Sequence, residues 1–449
     1  MAEPFVIVGG DAAGMSAASK ARREAPDREI IVLERGEWVS YGACGLPYYV
    51  KGDVESLEDL VAVPPEKFID ERDIDLRTGH EGIAIDTDAG TVTVRSDEET
   101  YEQSYGDLLI ATGARALEPP IDGLDLEGVF TLHSMDAGAE IKSYVENGDL
   151  DSVAVIGGGY VGIEMAEAFD AHGLDVTLFE MLPRVLATFG ESVGEAVGDH
   201  LREQGVDVRL STRVERLTGD GTIEAVETED GTVSVDAALV GAGVVPNAEL
   251  AEQAGVELGE TGAIATDEYG RTNVEGVYAA GDVAEMTHTV TGEPDHVPLA
   301  LTANRAGRAI GQTVTGTETP VGEIAGTAVV KAFDLAAART GITDEAEARQ
   351  AGFDPVSVTI NAPSRAHYYP GGDELELTMV ADRETERVLG ASIVGREGVA
   401  KRIDTVATAL HEGMTVEDVE YLDLAYAPPF SPTWDPVLTT AKVLNGKLE

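Results

Sequence analysis

Apolar and polar positions along the chain follow two alternating periods. Phe5-Val6-Ile7-Val8 is a short uninterrupted apolar run, the pattern of a strand buried on both faces. A glycine turn follows, Gly9-Gly10-Asp11-Ala12-Ala13-Gly14, then a helical stretch to about Arg23 that Pro26 closes. A second apolar run, Ile30 to Leu33, finishes at Glu34. The pattern predicts a strand–turn–helix–strand unit of about 30 residues. The unit returns later: strand Val153–Ile156, turn Gly157-Gly158-Gly159-Tyr160-Val161-Gly162, helix from Ile163 to His172, strand Val176–Phe179 ending at Glu180. The two turns begin 148 positions apart and the two acids lie 146 apart. That period is far too long for a solenoid and has the size of a domain.

Between the units run short alternating strands (Thr91 to Arg95) and the run Tyr105 to Gly113; after the second come Leu239 to Asn247 and Val277 to Asp282. From about Thr327 the pattern changes to strand, helix and strand without nucleotide glycines. The expected fold is α/β: two Rossmann-like dinucleotide-binding domains plus a C-terminal α+β domain.

A dinucleotide turn uses its first glycine to leave the strand sharply. Its second lets backbone approach the pyrophosphate, and its third packs helix on strand. The helix N-terminus then offers free N–H groups and partial positive charge, and the acid takes ribose hydroxyls. The second turn has every part: Gly157, Gly159, Gly162 and Glu180. The first has Gly9, Gly10, Gly14 and Glu34, but Asp11 holds the middle position. A carboxylate beside a pyrophosphate is unfavourable unless it points away. One such turn is a weak signal, whereas two in series, each with its acid, point to two dinucleotide sites. Glu180 repels a 2′-phosphate and so favours NADH over NADPH, although Arg184 lies close by in sequence.

Charge narrows the partners. Asp and Glu number 83 against 31 Lys and Arg, a formal net charge of −52. Charged residues are an ordinary 25%, so only the sign is skewed. A basic footprint for nucleic acid is missing, and an anionic membrane surface is disfavoured. The acid is dispersed and lysine is scarce, 8 against 23 arginines. Such a surface suits high salt, where screening over about 3 Å at 1 M removes self-repulsion. The plainer alternative is an ordinary acidic cytosolic protein. The start shows no signal-peptide pattern, and the longest non-polar stretch, Val153 to Ile163, is well short of the ~20 residues of a membrane span. A cytoplasmic location is expected. One cysteine excludes an intramolecular disulfide and cysteine-rich zinc sites, and no metal is expected.

That cysteine, Cys44, sits in Ser40-Tyr41-Gly42-Ala43-Cys44-Gly45-Leu46-Pro47-Tyr48-Tyr49. A lone cysteine is commonly a buried small hydrophobe. This run is rich in Gly, Pro and Tyr, which suits a loop, and it follows closely on the first unit. Together with the two glycine turns stand Ile110-Ala111-Thr112-Gly113-Ala114, Gly281-Asp282 and Pro298-Leu299-Ala300. His367-Tyr368-Tyr369-Pro370-Gly371 and Leu424-Ala425-Tyr426-Ala427-Pro428-Pro429 complete the set. The chain resembles the pyridine nucleotide-disulfide oxidoreductases over nearly its whole length. Within them it is similar to the single-cysteine branch: coenzyme A disulfide reductases and their NADH oxidase, peroxidase and polysulfide reductase relatives. The last two motifs resemble the coenzyme A disulfide reductases in particular.

The resemblance implies an FAD domain (1–115 and 248–325), an NAD(P)H domain (116–247) and a C-terminal dimerisation domain (326–449). It implies that Gly9, Gly10, Gly14, Glu34, Ser40, Thr112 and Gly113 hold FAD, and that Asp282 meets the flavin ribitol. A helix opening at Leu299 and Ala300 would aim its N-terminus at the flavin pyrimidine. Gly157, Gly159, Gly162 and Glu180 would hold NAD(P)H, with Tyr160 gating the nicotinamide pocket and Glu164 holding its amide. Arg22 and Arg23 match a pair that meets coenzyme A phosphates, although two adjacent arginines also suit local ion pairing. Tyr368 and Tyr426 would reach the neighbouring Cys44 across a homodimer.

With one sulfur, Cys44 must cycle as a mixed disulfide with an outside thiol or as a sulfenic acid. Peroxidase-type relatives carry a histidine in the first glycine loop; here those positions are Ala12 and Ala13. The expected activity is NAD(P)H-dependent reduction of a small disulfide, coenzyme A disulfide first. NADH oxidase and polysulfide reductase activities stay open. A fused sulfur-transfer domain is not expected, since the chain ends soon after the third unit. A nucleotide-binding redox sensor switching at Cys44 is the alternative of another class, because motifs do not separate bound cofactor from turnover.

Overall fold

The computed structural model describes residues 3–448. Phe5–Val8 is buried at every position and is the central strand of a five-stranded sheet. The order is 277–279, 107–110, 5–8, 30–34, 75–78, and all neighbours run parallel. Helix α1 (Ala12–Glu24) makes the crossover between the first two strands. A single 3₁₀ turn, Ala43–Gly45, leads into the short helix α2 (Leu46–Lys51).

The second unit repeats the plan. Its strands lie in the order 207–209, 175–179, 152–156, 237–240, 129–130, again all parallel. The crossover is α3 (Tyr160–Ala171). It begins three residues earlier than the apolar pattern predicts, because Gly159 is the N-cap and Gly162 falls inside the first turn. Both units also carry a three-stranded antiparallel meander: 81–86, 91–95 and 100–104 in the first, 214–219, 223–228 and 231–234 in the second. The repeat visible in the two glycine turns therefore covers a larger piece of fold.

The chain leaves the first unit along Ala114–Ala116 and returns along Val244–Pro246, which pair antiparallel. Val277–Ala279 then rejoins the first sheet beside 107–110. Helix α4 (Ala300–Thr313) follows and lies along α1. A Cβ at Gly307 would stand 2.0 Å from the Ala13 carbonyl oxygen, and one at Gly311 2.4 Å from that of Ala17. These two glycines let the backbones of α1 and α4 meet. The seam brings the start of α4 beside the first glycine turn, where Ser16 Oγ donates to Asn304 Oδ1 at 2.6 Å.

The third unit is a five-stranded antiparallel sheet, 328–332, 335–341, 388–395, 374–382, 355–363. The expected intervening helix is present only as Glu345–Gln350, and long strands dominate instead. Val388–Gly395 is buried throughout. Helices Val399–His411 and Pro436–Leu448 pack on the sheet, as does Glu191–Glu203 from the second unit. No helix among the described residues is long and apolar enough to cross a membrane.

Candidate functional site

The two glycine turns are built alike. Gly9 has φ +116° and Gly157 φ +113°, backbone that a side chain rarely adopts. Glu34 Oε2 accepts from Gly10 N at 2.8 Å and its Oε1 from Gly36 N at 2.7 Å. Glu180 Oε2 accepts from Gly158 N at 2.7 Å and its Oε1 from Leu182 N at 2.8 Å. Each acid is thus held by two backbone donors, one in its glycine turn and one two residues beyond itself. Each oxygen keeps lone-pair capacity for a ribose hydroxyl.

At the middle position the turns differ. A Cβ at Gly159 would meet nothing within 4 Å, so backbone is left open there. In the first turn the side chain of Asp11 points to the cysteine loop, where Oδ1 accepts from Tyr41 N at 3.0 Å. Burial pushes the Asp11 carboxyl up to about 6, and the charges of Glu34 and Asp282 add to this. The same loop is held at Ser40, whose N donates to Gly10 O at 3.0 Å and whose O accepts from Ala62 N at 2.8 Å. Ser40 itself has φ +51°, a conformation uncommon for a residue with a side chain.

Cys44 lies in the 3₁₀ turn and is exposed. Protein packed around the loop nevertheless raises its thiol pKa, and Glu164, Asp282 and Asp11 raise it further. The direction stands although the side chain meets solvent, because all three carboxylates act the same way. Helix α2 starts two residues later and lies against α3 of the second unit. Tyr48 on α2 donates to Glu164 Oε1 at 2.9 Å. One turn further along, Lys51 Nζ meets Glu167 Oε1 at 3.0 Å. Glu167 also accepts from Lys331 Nζ and from Phe333 N, both at 2.7 Å, so it ties all three units together. Burial raises the Glu164 carboxyl to about 7, while the Tyr48 hydrogen bond pulls it down.

Asp282 sits between the first glycine turn and α4. Its carboxyl is raised by burial, against the pull of His133 and His296. His296 Nε2 donates to the Asp282 carbonyl at 2.8 Å. Leu299 is the N-cap of α4 and Ala300 its first residue. Thr112 Oγ1 donates to Asn247 O at 2.8 Å and Asn247 Nδ2 returns to Thr112 O at 2.9 Å. Asn247 N also donates to Gly113 O at 2.9 Å. Thr112 and Gly113 therefore sit where the chain passes between the units.

Of the other expected residues, Tyr160 stays beside the second glycine turn and the rest lie elsewhere. Tyr160 opens α3 and packs edge-on against Phe189, ring centres 5.4 Å apart. Arg22 and Arg23 are in the last turn of α1, about 17 Å along the helix from Asp11. Arg22 is engaged locally, donating to the carbonyls of Pro26 and Asp73, while Arg23 is exposed. Tyr368 and Tyr426 stand on the surface of the third unit, 70% and 63% exposed. Their loops are joined by Ala366 N to Pro428 O at 3.3 Å. Buried Arg402 anchors both: it pairs with Asp435 at 2.9 Å and donates to Ser364 O at 3.0 Å and Phe430 O at 3.4 Å.

Tyr48, Lys51, Glu167, His133, His296, Asn247 and Arg402 were not singled out from sequence. Most act through partners far along the chain. Tyr48 alone had a local signal, its place in the cysteine run.

The residues fit dinucleotide cofactors. The first turns of α1, α3 and α4 carry no acidic residue, and their N-caps make no side-chain capping bond. Three helix N-termini thus present unpartnered N–H groups at the site, as an anionic ligand requires.

Fold and site together define a two-nucleotide redox protein built around one thiol. The chain belongs to the pyridine nucleotide-disulphide oxidoreductases: residues 3–307 match that family and residues 327–436 its dimerisation domain. The family implies FAD and a pyridine nucleotide. The chain is 43% identical over 446 residues to the NAD(P)H coenzyme A polysulfide/persulfide reductase of Pyrococcus horikoshii, covering 99% of each. It is 32% identical over 431 residues to the coenzyme A disulfide reductase of Staphylococcus aureus, covering 95% of this chain and 96% of that one. Among solved structures, an NAD-dependent persulfide reductase from A. fulgidus superposes with a TM-score of 0.96 at 42% identity. That match covers 99% of this chain and 83% of that one.

Proposed function

We propose that the protein is an FAD-dependent NADH oxidoreductase that reduces a sulfur–sulfur bond carried by coenzyme A, through Cys44. The observation that carries this is the position of the sole thiol. Cys44 is exposed in a loop bonded to the first glycine turn, and its following helix is bonded to α3 of the second. One sulfur between two nucleotide cradles suits a mixed-disulfide cycle.

The Cys44 thiolate attacks one sulfur of coenzyme A disulfide, forming a Cys44–coenzyme A disulfide and releasing one thiol. Two electrons from NADH then break that bond, returning Cys44 as thiolate and releasing the second thiol after protonation. Bound in the first cradle, FAD would supply the relay between NADH and sulfur. Gly9, Gly10, Gly14, Glu34, Ser40, Thr112, Gly113, Asp282, Leu299 and Ala300 would hold it. Gly157, Gly159, Gly162 and Glu180 hold the nicotinamide nucleotide, Tyr160 gates it and Glu164 accepts from its carboxamide. Glu180, buried and held by one backbone donor on each oxygen, favours NADH over NADPH. Arg23, with Arg22 behind it, meets the phosphates of coenzyme A. Tyr368 and Tyr426 donate to the leaving thiolate of the neighbouring subunit of a homodimer. The units 1–115 with 248–325, 116–247 and 326–449 take the FAD, NADH and dimerisation roles.

The polysulfide/persulfide reductase relatives favour a second substrate on the same thiol. With coenzyme A persulfide the same two electrons yield coenzyme A and sulfide instead of two thiols.

Turnover with NADH and NADPH against coenzyme A disulfide, coenzyme A persulfide, polysulfide and oxygen tests the reading. Oxidised protein should release about one coenzyme A per Cys44 on anaerobic reduction. The Cys44→Ser variant should lose disulfide and persulfide reduction while its flavin still passes electrons to oxygen. Disulfide turnover that survives in the serine variant would sink the thiol mechanism. Slow turnover with every acceptor would favour a redox sensor.

A further inference from the structure

Glu164 and Glu167 lie one turn apart on α3, and Tyr48 and Lys51 one turn apart on α2. The bonds Tyr48–Glu164, 2.9 Å, and Lys51–Glu167, 3.0 Å, lock the two helices in one register. We propose that Tyr48 is a positioning residue for the nicotinamide. Its hydroxyl donates to Glu164 Oε1, keeping that carboxylate ionised and leaving the other oxygen to accept the carboxamide N–H of the pyridine nucleotide. The inference rests on the reading of Glu164 as the carboxamide's acceptor.

The surroundings of Glu164 explain why it needs such a partner. It faces Tyr48 and Lys51 from α2, Lys331 from the third unit, Cys44 from its loop and Glu167 on its own helix. Both lysines bond Glu167, which takes Phe333 N as well. The ammonium groups go to Glu167 and, for Lys51, also to Asp53 at 2.7 Å, and Glu164 is left with a phenol. Burial and the neighbouring Glu167 push Glu164 up to about 7, and the Tyr48 bond opposes them. Tyr48 remains a donor because its own pKa is raised, by burial first and then by Glu164. Removing the hydroxyl takes away a charge-assisted hydrogen bond and raises Glu164 further, so less of it is ionised at neutral pH.

The test uses the full-length FAD-loaded protein and its Tyr48→Phe, Glu164→Gln and doubly substituted variants. Calorimetric affinity for NAD+ and anaerobic flavin reduction by NADH are measured from pH 5.5 to 9. In the unsubstituted protein both should rise with pH through about 7. In Tyr48→Phe the rise should move up by about one unit, leaving NAD+ affinity about fivefold weaker at pH 7 and restored by pH 9. Adding Tyr48→Phe to Glu164→Gln should change nothing further. A loss of equal size at every pH, or a further loss in the Glu164→Gln background, would show a packing role and overturn the inference. A Glu164→Gln variant with unchanged affinity and profile would instead remove the reading on which it rests.

Discussion

Asp11 shows what one side chain can hide. By its place in the glycine turn it reads as a misfit beside a pyrophosphate. Its carboxylate instead accepts the Tyr41 amide and joins the turn to the cysteine loop. The arrangement has a cost that depends on pH. The ordinary value of 3.8 is raised to about 6, so between these values the folded protein holds a proton that the unfolded chain has released. Stability therefore falls as pH rises across this window, and the full cost is present above it. Asp11→Asn keeps an acceptor for Tyr41 and removes the charge. The FAD-free variant should be more stable than the parent at pH 8, by at most about 3 kcal/mol, and no more stable at pH 4. Thermal unfolding at the two pH values measures this; an equal shift at both would refute it. Residue type and local spacing singled out Cys44, Glu34 and Glu180. They could not identify Tyr48 or His296, whose partners are set by folding.

Helix ends carry the next level. Some helices away from the site are capped: Ser134, Asp344 and Thr415 each accept from the first turn, and acidic residues follow, whereas Val399–His411 has neither cap nor first-turn acid. The three N-termini at the site make no side-chain capping bond and carry no acid in the first turn; Asp11, the N-cap of α1, turns its carboxylate to Tyr41 instead. A missing cap forgoes about 1 kcal/mol, which a bound anion replaces. The third glycine of each turn sets how closely its helix approaches. A Cβ at Gly162 would stand 1.9 Å from the Gly157 carbonyl oxygen. Gly162→Ala should retain FAD with a normal flavin spectrum, yet anaerobic reduction by NADH should slow by about 100-fold while dithionite still reduces it. Loss of FAD together with NADH reactivity would mean that the two cradles are not independent. The glycine turns were legible because the backbone itself demands those glycines. The two meanders and the long antiparallel sheet were not, since short half-exposed strands give a weak alternating signal and pair according to tertiary context.

For the whole molecule, the net charge of −52 now has a site to act on. The FAD and pyridine nucleotide that the family implies are anionic, as is the proposed coenzyme A substrate, so at low salt the protein would repel them at long range. In the proposed function the helix N-termini and Arg23 would act only at short range. Raising salt from 0.1 to 1 M shortens screening from about 10 Å to about 3 Å, removing the first effect more than the second. At the Glu167–Lys51–Lys331 junction Glu167 is buried but Lys331 is half-exposed, so salt screens it only in part, and the backbone bond from Phe333 N to Glu167 should persist throughout. The melting temperature should therefore rise between 0.1 and 2 M KCl, with NAD+ affinity maintained or improved. An unchanged melting temperature would remove the high-salt interpretation and leave the enzymatic one untouched. The exposed aromatic surface around Tyr368, Tyr426, Phe430 and Trp434 lies on the unit that matches the family's dimerisation domain.

The sequence by itself determined two nucleotide turns, their acids, the single thiol and the sign of the surface. All of these follow from backbone sterics or simple counts that need no distant partner. Tertiary structure alone decided that Asp11 turns to Tyr41, 30 positions on, and that Tyr48 meets Glu164 across 116 positions. It also decided that one glutamate gathers both lysines while its neighbour is left with a phenol. Such contacts depend on which helix faces meet once the sheets have formed, and no local period in the chain encodes that.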